Sequence, residues 1–539
     1  MVLIVSTHIR DSKGLRSKGL YKISNLKLER GLNIIHFLLL IKNISIFIFS
    51  PFLFFLKQIK IELLWSYKNK CIKYKTPSNF KLEMNTTTQT QSAAGQSAVT
   101  FESVFQTPEK LSFTLANGLS VKIGKNTDIG GSKINQDAHC VIHFKNSDNV
   151  SGCAICVADG HGEKGEIASE CGLKFLKEII RRGADELYSE PVSFLNKAFI
   201  HIHDKIRDSL VDALKDEKYE VEVNKLTGEI LKRRMPTHAF TSLKSGTTFS
   251  VIVLLGKTLY IANVGDSTGL LFSGTPILKP SHLTDELNSS VVTTSTAESC
   301  LDDYRTYIEL TGDHSPENPE EYIRMRKFKC SEENPLSAEL LCVYNEDKPK
   351  HLCPRVFDIS EEGVPTVRTD FETFGFSYKN VRKDKATYVT DKYGSNALSV
   401  TRALGDYALN HMGVSCEPEI RSINLEPLFN QMKENMALNA TATATASGGS
   451  ELETETALKT SKTLCVVLCS DGVWDNWIYD HVGKFVFDKS CLDALAQDTV
   501  RGAERITNSF MLRNQTFAKK NFGWNSDNAT GIVMYISDV

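Results

Sequence analysis

The stretch Cys153–Glu163, CAICVADGHGE, joins an apolar, strand-like run to an aspartate at its end, Asp159. Three further aspartates stand at the ends of similar runs. Asp266 follows LYIANVG, Asp471 follows LCVVLCS, and Asp527 precedes ATGIVMYI. If these strands belong to one pair of packed sheets, their ends form a single rim. The sequence then predicts that the four carboxylates meet there.

A cluster of this kind needs a counter-charge, because neighbouring carboxylates raise one another's pKa unless a cation neutralises them. A set of oxygen ligands without His or Cys suits hard ions such as Mg²⁺ or Mn²⁺. One aspartate after a strand is usually only a turn residue. Four in the same setting, with Gly160 and Gly472 directly after two of them, argue against coincidence.

Composition excludes some classes of function. The chain has 539 residues and a formal net charge of −2, without the concentrated basic surface that a nucleic-acid partner would require. Thirteen cysteines show no paired-knuckle spacing, and the single CxxC, Cys153 and Cys156, lies inside one apolar run. We interpret both as small core residues. The cysteine usage predicts a reduced, intracellular and cytoplasmic protein.

The N-terminal residues 1–83 differ from the rest of the chain. Two apolar runs, Leu32–Ile41 and Ile44–Leu56, are separated by Lys42 and Asn43, and neither reaches the roughly 20 residues that a membrane helix needs. The segment is a membrane anchor, a targeting segment, or translated upstream sequence before a start at Met84. We favour the last, because residues 84–100 are polar and typical of a disordered N-terminus. Membrane association is expected only through residues 32–56.

Residues 101–539 are predicted to form the globular part, with insertions at about 275–299, 326–396 and 432–462. The last insertion is of low complexity and is predicted to be a loop. Hydrophobic periodicity predicts regular elements elsewhere. These are strands at Leu111–Ile123 and His139–Phe144, helices carrying Ile167–Ile180, Leu195–Leu210 and Leu492–Ile506, and a hairpin of Thr247–Leu255 with Lys257–Val264. Their segregated order favours an α+β fold.

Short blocks of sequence resemble the metal-dependent serine/threonine protein phosphatases of type 2C, and they occur in the order found in that family. The blocks are NQDA (135–138), VADGHGE (157–163), SGTT (245–248), ANVGDS (262–267), LTGDHSPENPEEYIRM (310–325), LSVTRALGDY (398–407), CEPEI (416–420), CSDGVWD (469–475) and SDNAT (526–530). A lone DG or DN pair has no weight, but nine blocks in order are specific. The resemblance covers residues 101–539, insertions apart.

The resemblance implies two central antiparallel β-sheets packed as a sandwich and flanked by helices, in four layers. It also implies a centre of two Mg²⁺ or Mn²⁺ ions on the rim of the sandwich. By motif position, Asp159 would bridge the ions and Gly160 would offer its carbonyl, since a glycine lets the backbone approach closely. Three more ligands would complete the centre, namely Asp137, Asp471 and Asp527. A third, weaker metal position is implied by Asp266 and Asp475.

The implied chemistry is hydrolysis of phosphoserine and phosphothreonine in proteins by a hydroxide held between two divalent cations. No phospho-enzyme intermediate is required. His161, next to the metal-binding Asp159 and Gly160, is the candidate general acid that protonates the departing oxygen. Phosphoproteins are the expected partners, and the catalytic domain is expected to work as a monomer by analogy with the family.

The chain departs from the family at two positions near the first aspartate. Ser132 stands where an arginine is common, and Lys133, which follows it, is a weak candidate for phosphate binding because lysine lacks arginine's planar fork. Gln136 stands where an acidic residue is frequent. Two further expectations concern structure: Arg402 and Asp406 pair with each other, and Trp474 and Trp477 are core residues.

An alternative function is a catalytically silent module that binds phosphoproteins through the same cleft. The complete set of four aspartates argues against it, and Ser132 argues mildly for it. A metal-dependent nuclease also uses paired carboxylates, but the chain lacks a basic track for a polyanion.

Overall fold

The computed structural model describes residues 3–10, 16–23, 109–286, 303–328, 338–342, 353–361, 363–368, 379–391, 397–444, 462–497 and 501–538. The chain divides into two compact units, Met1–Ala98 and Val99–Val539. In the first unit, strands β1 (Leu3–Arg10) and β2 (Arg16–Ile23) pair antiparallel. The apolar runs at 32–41 and 44–56 lie outside the described residues. No described helix combines the length and apolar character needed to cross a membrane.

The second unit contains two large antiparallel sheets. Sheet A has eight strands in the order β14-β22-β12-β11-β6-β10-β21, with β5 on the other side of β6. Sheet B has six strands in the order β15-β13-β23-β24-β4-β3. The strands of sheet A are β5 (Asp137–Lys145), β6 (Ser151–Gly162), β10 (Ser245–Thr247), β11 (Phe249–Leu255), β12 (Thr258–Val264), β14 (Leu283–Asp285), β21 (Leu404–Gly405) and β22 (Glu419–Asn424). Those of sheet B are β3 (Ser112–Thr114), β4 (Leu119–Asp128), β13 (Thr268–Ser273), β15 (Tyr307–Glu309), β23 (Thr463–Cys469) and β24 (Ala529–Asp538).

Helices cover the outer faces of both sheets. They are α1 (Gly165–Arg182), α2 (Ala184–Ser189), α3 (Pro191–Asp216), α4 (Pro319–Lys327), α5 (Tyr407–Asn410), α6 (Glu426–Ala444), α7 (Asp471–Trp474), α8 (Tyr479–Val486), α9 (Lys489–Gln497) and α10 (Gly502–Asn521). Smaller sheets join β7 (Glu220–Val223), β8 (Ile230–Arg233) and β9 (Thr241–Ser242); β16 (Glu339–Cys342), β19 (Thr387–Thr390) and β20 (Ala397–Leu398); and β17 (Phe357–Ile359) with β18 (Pro365–Val367).

The apolar cores show the layering of the two sheets. Alternate residues of β6 enter different cores: Ile155 and Val157 pack with residues of sheet B, whereas Ala154 and Cys156 pack with helices α1 and α3. Sheet B is likewise two-sided, with its outer face packed on α8, α9 and α10. Strands covered on both faces are apolar throughout rather than alternating, as the sequence FSVIVLL of β11 illustrates. The predicted α+β class is therefore confirmed.

Several predicted elements match the structure closely. The two helices after Asp159 are α1 and α3, and the predicted hairpin is β11 with β12. Cys153 and Cys156 are buried on opposite faces of β6, one in the core between the sheets and the other beneath the helices. This position confirms them as core residues. Trp474 and Trp477 are also buried, at 1% and 4% exposure, as predicted.

Three predicted elements are wrong in extent. The strand expected over Leu111–Ile123 is interrupted by a turn at Gly118, whose φ of +87° favours glycine. The helix expected over Leu492–Ile506 is two helices, α9 and α10. Gly502 begins α10, and a Cβ there would lie 2.6 Å from the carbonyl oxygen of Ala494, so the two helices approach too closely for one continuous rod.

The third difference concerns the segment predicted as a loop from Met432. Its first part continues helix α6 as far as Ala444. The sequence there is rich in Met, Leu, Ala, Glu and Lys, all strong helix formers, so local propensity outweighs its low complexity. Residues 445–461 lie outside the described residues.

A buried ion network ties helix α4 to the loop that follows β20. The Glu321 carboxylate is 3% exposed and accepts hydrogen bonds from Arg402 at 2.6 Å, from Arg324 at 2.8 Å and from the Thr401 hydroxyl at 2.6 Å. Burial alone would raise the pKa of Glu321, but the Arg402 guanidinium outweighs it and lowers the pKa. The expected Arg402–Asp406 pair is therefore wrong, because Arg402 is committed to Glu321.

Replacing this carboxylate tests the network. Glu321→Gln should lower the free energy of unfolding by about 3–5 kcal/mol, because it leaves two guanidinium groups without their charged partner in a largely buried setting. Denaturant unfolding measures the change. Glu320→Gln, one position earlier and exposed, is the matched control and should change stability by less than about 0.5 kcal/mol. Equal unfolding midpoints for the two variants would contradict the network.

Candidate metal centre

The first two predicted ligands come from neighbouring strands of sheet A. Asp137 opens β5 and lies directly opposite Asp159 on β6 in the antiparallel register. Directly opposed residues of paired strands have side chains only about 4.5–5.5 Å apart at Cβ. The hydroxyl of Thr248 accepts from the backbone N–H of Asp159 at 3.0 Å, and the backbone N–H of Thr248 donates to the Asp159 carbonyl at 2.8 Å. These bonds hold the end of β6 against the residue that precedes β11.

The other two predicted ligands come from sheet B. Asp471 is the first residue of α7, directly after β23, and Asp527 precedes β24. Ser470 joins the sheets at this rim, since its hydroxyl donates to Asp137 at 2.7 Å and accepts from the backbone N–H of Thr530 at 2.9 Å. The four carboxylates, far apart in sequence, therefore occupy one rim.

Electrostatics confirms how close the carboxylates are. Burial, with the charges of Asp471 and Asp527, raises the pKa of Asp137 to about 7. Burial and the Asp471 charge raise the pKa of Asp527 to about 6. The pKa of Asp159 is raised well above its usual range by burial and by the other carboxylates, and its carboxyl group lies within hydrogen-bonding reach of Asp471. Such mutual repulsion is the signature of a site that lacks its cation.

Two oxygen atoms of the cluster show that the donor set fits a hard cation. Asp137 Oδ1 and Asp471 Oδ1 are buried and have no hydrogen-bond partner. Buried polar atoms are nearly always paired, and divalent Mg²⁺ or Mn²⁺ takes carboxylate oxygens of this kind. In the part of the chain that the structure describes, no three His, Cys, Asp or Glu side chains already stand in a ligand geometry. The side chains would have to move slightly to close on an ion.

A lysine occupies the other end of the cluster. The Lys379 ammonium lies 2.7 Å from Asp266 Oδ2 and 2.9 Å from Asp471 Oδ2. Burial alone would raise the pKa of Asp471, but Lys379 outweighs it and lowers that pKa. Asp475 has no such close cation, and burial with the Asp471 charge raises its pKa well above the usual range. Lys379 therefore stands among the three aspartates to which a third metal position was assigned.

His161 lies two residues after Asp159 on the same face of β6, and its Nε2 is 2.6 Å from Asp406 Oδ2. Burial acts to lower the pKa of His161, but the Asp406 charge, with those of Asp266 and Asp471, raises it overall. Asp406 has a left-handed backbone with φ of +49°, and a Cβ on Gly246 would lie 2.1 Å from its carboxylate. Asp406 is thus closely fitted beside the histidine.

The remaining predicted residues occupy different settings. Gly160 has no room for a side chain, since a Cβ would lie 2.3 Å from the Gly165 carbonyl oxygen. Lys133 is exposed on the loop before β5, and no ion pair to it is found within the described residues. Gln136 donates from Nε2 to Glu166 at 3.0 Å and to the Gly162 carbonyl at 3.0 Å. These contacts anchor its amide away from the role of an acidic neighbour.

A cavity of about 480 Å³ opens beside the cluster. Its walls include Asp266, Asp471 and Asp527 from the rim, with Lys379, Arg382 and Lys385 from the segment before β20. The cavity therefore brings carboxylates and cations to one cleft.

Sequence reasoning missed three residues of the site. Ser470 and Asp406 lie inside motifs that were quoted, but a motif does not reveal that one joins two sheets or that the other pairs with His161. Lys379 lies in a long segment without any motif, so only the folded chain shows that it reaches the cluster.

Removing one charge from the cluster should stabilise the metal-free protein. In EDTA, Asp137→Asn should increase the free energy of unfolding by about 1–3 kcal/mol, part of the ~1.4 kcal/mol that each unit of pKa shift represents. The same variant should lose much of the stabilisation by Mn²⁺, which binds only the folded state. Thermal unfolding in EDTA and in Mn²⁺ measures both effects. Asp212→Asn, on an exposed part of α3, is the control, and a less stable Asp137→Asn in EDTA would contradict the repulsion.

Comparison with known proteins was made at three levels. A family model described as protein phosphatase 2C matches residues 130–337. No curated protein matches the chain.

Among solved structures, a serine-threonine phosphatase 2C from Toxoplasma gondii is similar, with 15% identity and a TM-score of 0.41, over 80% of this chain and 98% of that one. The S. agalactiae serine/threonine phosphatase has 16% identity and a TM-score of 0.34, over 77% and 98%. The catalytic domain of the phosphatase PstP, in complex with two manganese ions, has 13% identity and a TM-score of 0.32, over 78% and 100%.

The matched segment runs from Gly130 to Pro335 and two residues beyond, so it contains Asp137, Asp159 and Asp266. The other aspartates of the cluster reach the same rim from the C-terminal motifs. The chain therefore belongs to the protein phosphatase 2C family of serine/threonine protein phosphatases.

Proposed function

We propose that this chain hydrolyses phosphoserine and phosphothreonine in proteins with two divalent cations, Mg²⁺ or Mn²⁺. Asp137, Asp159, Asp471 and Asp527 would hold them, with the carbonyl of Gly160. The observation that carries the proposal is the convergence of these carboxylates, two of which keep buried oxygen atoms without a hydrogen-bond partner. The protein phosphatase 2C model that matches the chain supports the same chemistry.

When bound, the two cations would acidify water to provide the attacking hydroxide and would neutralise the charge of the phosphoryl group. The protein's own part is to hold the acidic oxygens in place. Ser470 fixes Asp137 by a 2.7 Å hydrogen bond, and the antiparallel register fixes Asp159 opposite it. Because no nucleophilic side chain is required, no phospho-enzyme intermediate is expected.

His161 is the proposed general acid for the departing seryl or threonyl oxygen. Such an oxygen leaves as an alkoxide unless it receives a proton, so the acid must be protonated near neutral pH. Asp406 supports that role, since its carboxylate at 2.6 Å helps to raise the pKa of His161. Asp406 is therefore a positioning residue, and His161 is the residue that would touch the substrate.

One observation favours the alternative, a silent module that binds phosphoproteins. Arg382 lines the cavity, but its guanidinium already donates to the carbonyls of Trp474 and Trp477 and to Asp384. Within the described part of the cavity wall, no other arginine is present to replace the one that the family commonly has at the position of Ser132. Phosphate binding would then rest on the cations, so a metal-free cleft should hold a phosphopeptide only weakly.

Turnover separates the two functions. The full chain should release phosphate from a phosphothreonine peptide in Mn²⁺ and should lose this activity in EDTA. Asp159→Asn should lower kcat/KM by about 10²–10³-fold, the size of effect that follows removal of one preorganised charged group. Asp212→Asn should keep full activity. Tight phosphopeptide binding by the wild type without phosphate release would support the silent module instead.

A pair of substrates tests His161 specifically. His161→Gln should lower kcat for the phosphothreonine peptide by about 10²-fold, the lower range for loss of a general acid. With p-nitrophenyl phosphate the loss should be much smaller, because p-nitrophenolate is a stable anion that leaves without a proton. Steady-state kinetics with both substrates measures the difference. An equal loss with both would mean that His161 serves the structure of the site and is not the acid.

A further inference from the structure

Lys379 reaches the carboxylate cluster from a segment that carries no catalytic motif. Its ammonium contacts Asp266 at 2.7 Å and Asp471 at 2.9 Å, and its side chain is 28% exposed. Asp475 is the third acidic group whose charge acts on it. The lysine therefore stands where the sequence assigns a third metal position to Asp266 and Asp475.

The backbone that carries Lys379 is fixed to the cluster. The N–H of Val381, two residues later, donates to the carbonyl of Asp475 at 3.0 Å. Arg382 donates to the carbonyl of Trp474, and its guanidinium lies 4.9 Å from the centre of the Tyr479 ring. The turn is thus attached to helix α7, and helix α7 begins with Asp471.

The turn is also closed on itself. The N–H of Lys379 donates to the carbonyl of Asp384 at 2.7 Å, and the buried Asn380 side chain donates to Asp384 Oδ2 at 2.7 Å. Fewer rotatable bonds therefore remain free between the lysine and its acidic partners. A surface lysine that merely finds a carboxylate has no such support, and contributes little.

Charge and size explain how a lysine could serve in place of a metal ion. An ammonium is a compact point charge with three donors, and at about 3 Å from two carboxylates it offsets part of their repulsion. It cannot activate water, because it has no open coordination position. A divalent cation between Asp266 and Asp471 would have to displace the ammonium, and the two cations would repel each other.

We propose that Lys379 is the resident cation of the Asp266, Asp471 and Asp475 end of the cluster, so that the chain holds two divalent cations rather than three. This inference rests on the proposed metal centre, since it concerns how many ions that centre takes. It also makes the segment that carries Lys379 part of the centre, because movement of this turn would remove a charge from Asp471.

Counting bound Mn²⁺ tests the proposal independently of activity. Electron paramagnetic resonance of free Mn²⁺ during titration of the full chain gives the number of ions bound. The wild type should bind two, and Lys379→Gln should bind a third, more weakly. Lys379→Arg, which keeps the charge, should still bind two.

Lys383→Gln is the matched control. Lys383 is exposed on the same turn, and the structure, over the residues it describes, gives it no ion pair with the cluster. This variant removes the same charge from the same turn and should leave the count at two. The thermal stability of each variant in EDTA gives a second readout: Lys379→Gln should be less stable than Lys383→Gln, because it leaves Asp266 and Asp471 without their counter-charge.

The outcomes separate this inference from the proposed function. No Mn²⁺ bound by the wild type would overturn the metal centre itself. Three ions bound by the wild type, or equal counts for the wild type and Lys379→Gln, would overturn the role of Lys379 and leave the centre standing.

Should Lys379→Gln fail to fold, amine labelling of the wild type in EDTA decides the question. Lys379 should react several-fold more slowly than Lys383, because its ammonium is paired. Equal rates would contradict the proposal.

Discussion

The repulsion among buried carboxylates is the constraint on which the rest of this structure depends. Asp137, Asp159 and Asp527 all have raised pKa values, because each is buried near other acidic groups. A fold that brings such groups together gives up stability unless a cation repays it. Metal binding and folding are therefore coupled in this chain, since an ion that binds only the folded rim stabilises the whole domain.

The sandwich determines where this repulsion occurs. β5 and β6 end in aspartates on sheet A, and β23 and β24 are flanked by aspartates on sheet B. The core between the sheets holds the two sets of strand ends in register, and Ser470 bonds across the gap to Asp137. The chemistry therefore belongs to neither sheet alone. Loosening the core between them would separate the carboxylates without changing any of them.

The cluster has two unlike ends. At one end, Asp137 and Asp471 keep buried oxygen atoms without partners, which suits divalent cations. At the other, Asp266 and Asp471 already contact Lys379. Asp471 faces both ends, and this explains why its pKa is lowered while those of its neighbours are raised. A single aspartate thus links the proposed hydrolytic centre to the turn that carries the lysine.

By itself, the sequence determined the class of the fold and the acidic residues of the rim. Apolar runs of strand length end at aspartates, and nine short motifs stand in the family's order. Such features are local, so they are readable without coordinates. Element boundaries were less secure, because the turn at Gly118 and the contact of Gly502 with α9 depend on backbone geometry and on neighbouring elements.

Only the tertiary structure decided which side chains pair. Arg402 binds Glu321 rather than Asp406, and Asp406 binds His161, more than 240 positions away in sequence. Lys379 reaches Asp266 and Asp471 from a segment without a motif. An ion pair requires only proximity and opposite charge, and neither leaves a pattern in the spacing of residues. For that reason the sequence names the acids, and the fold alone names their partners.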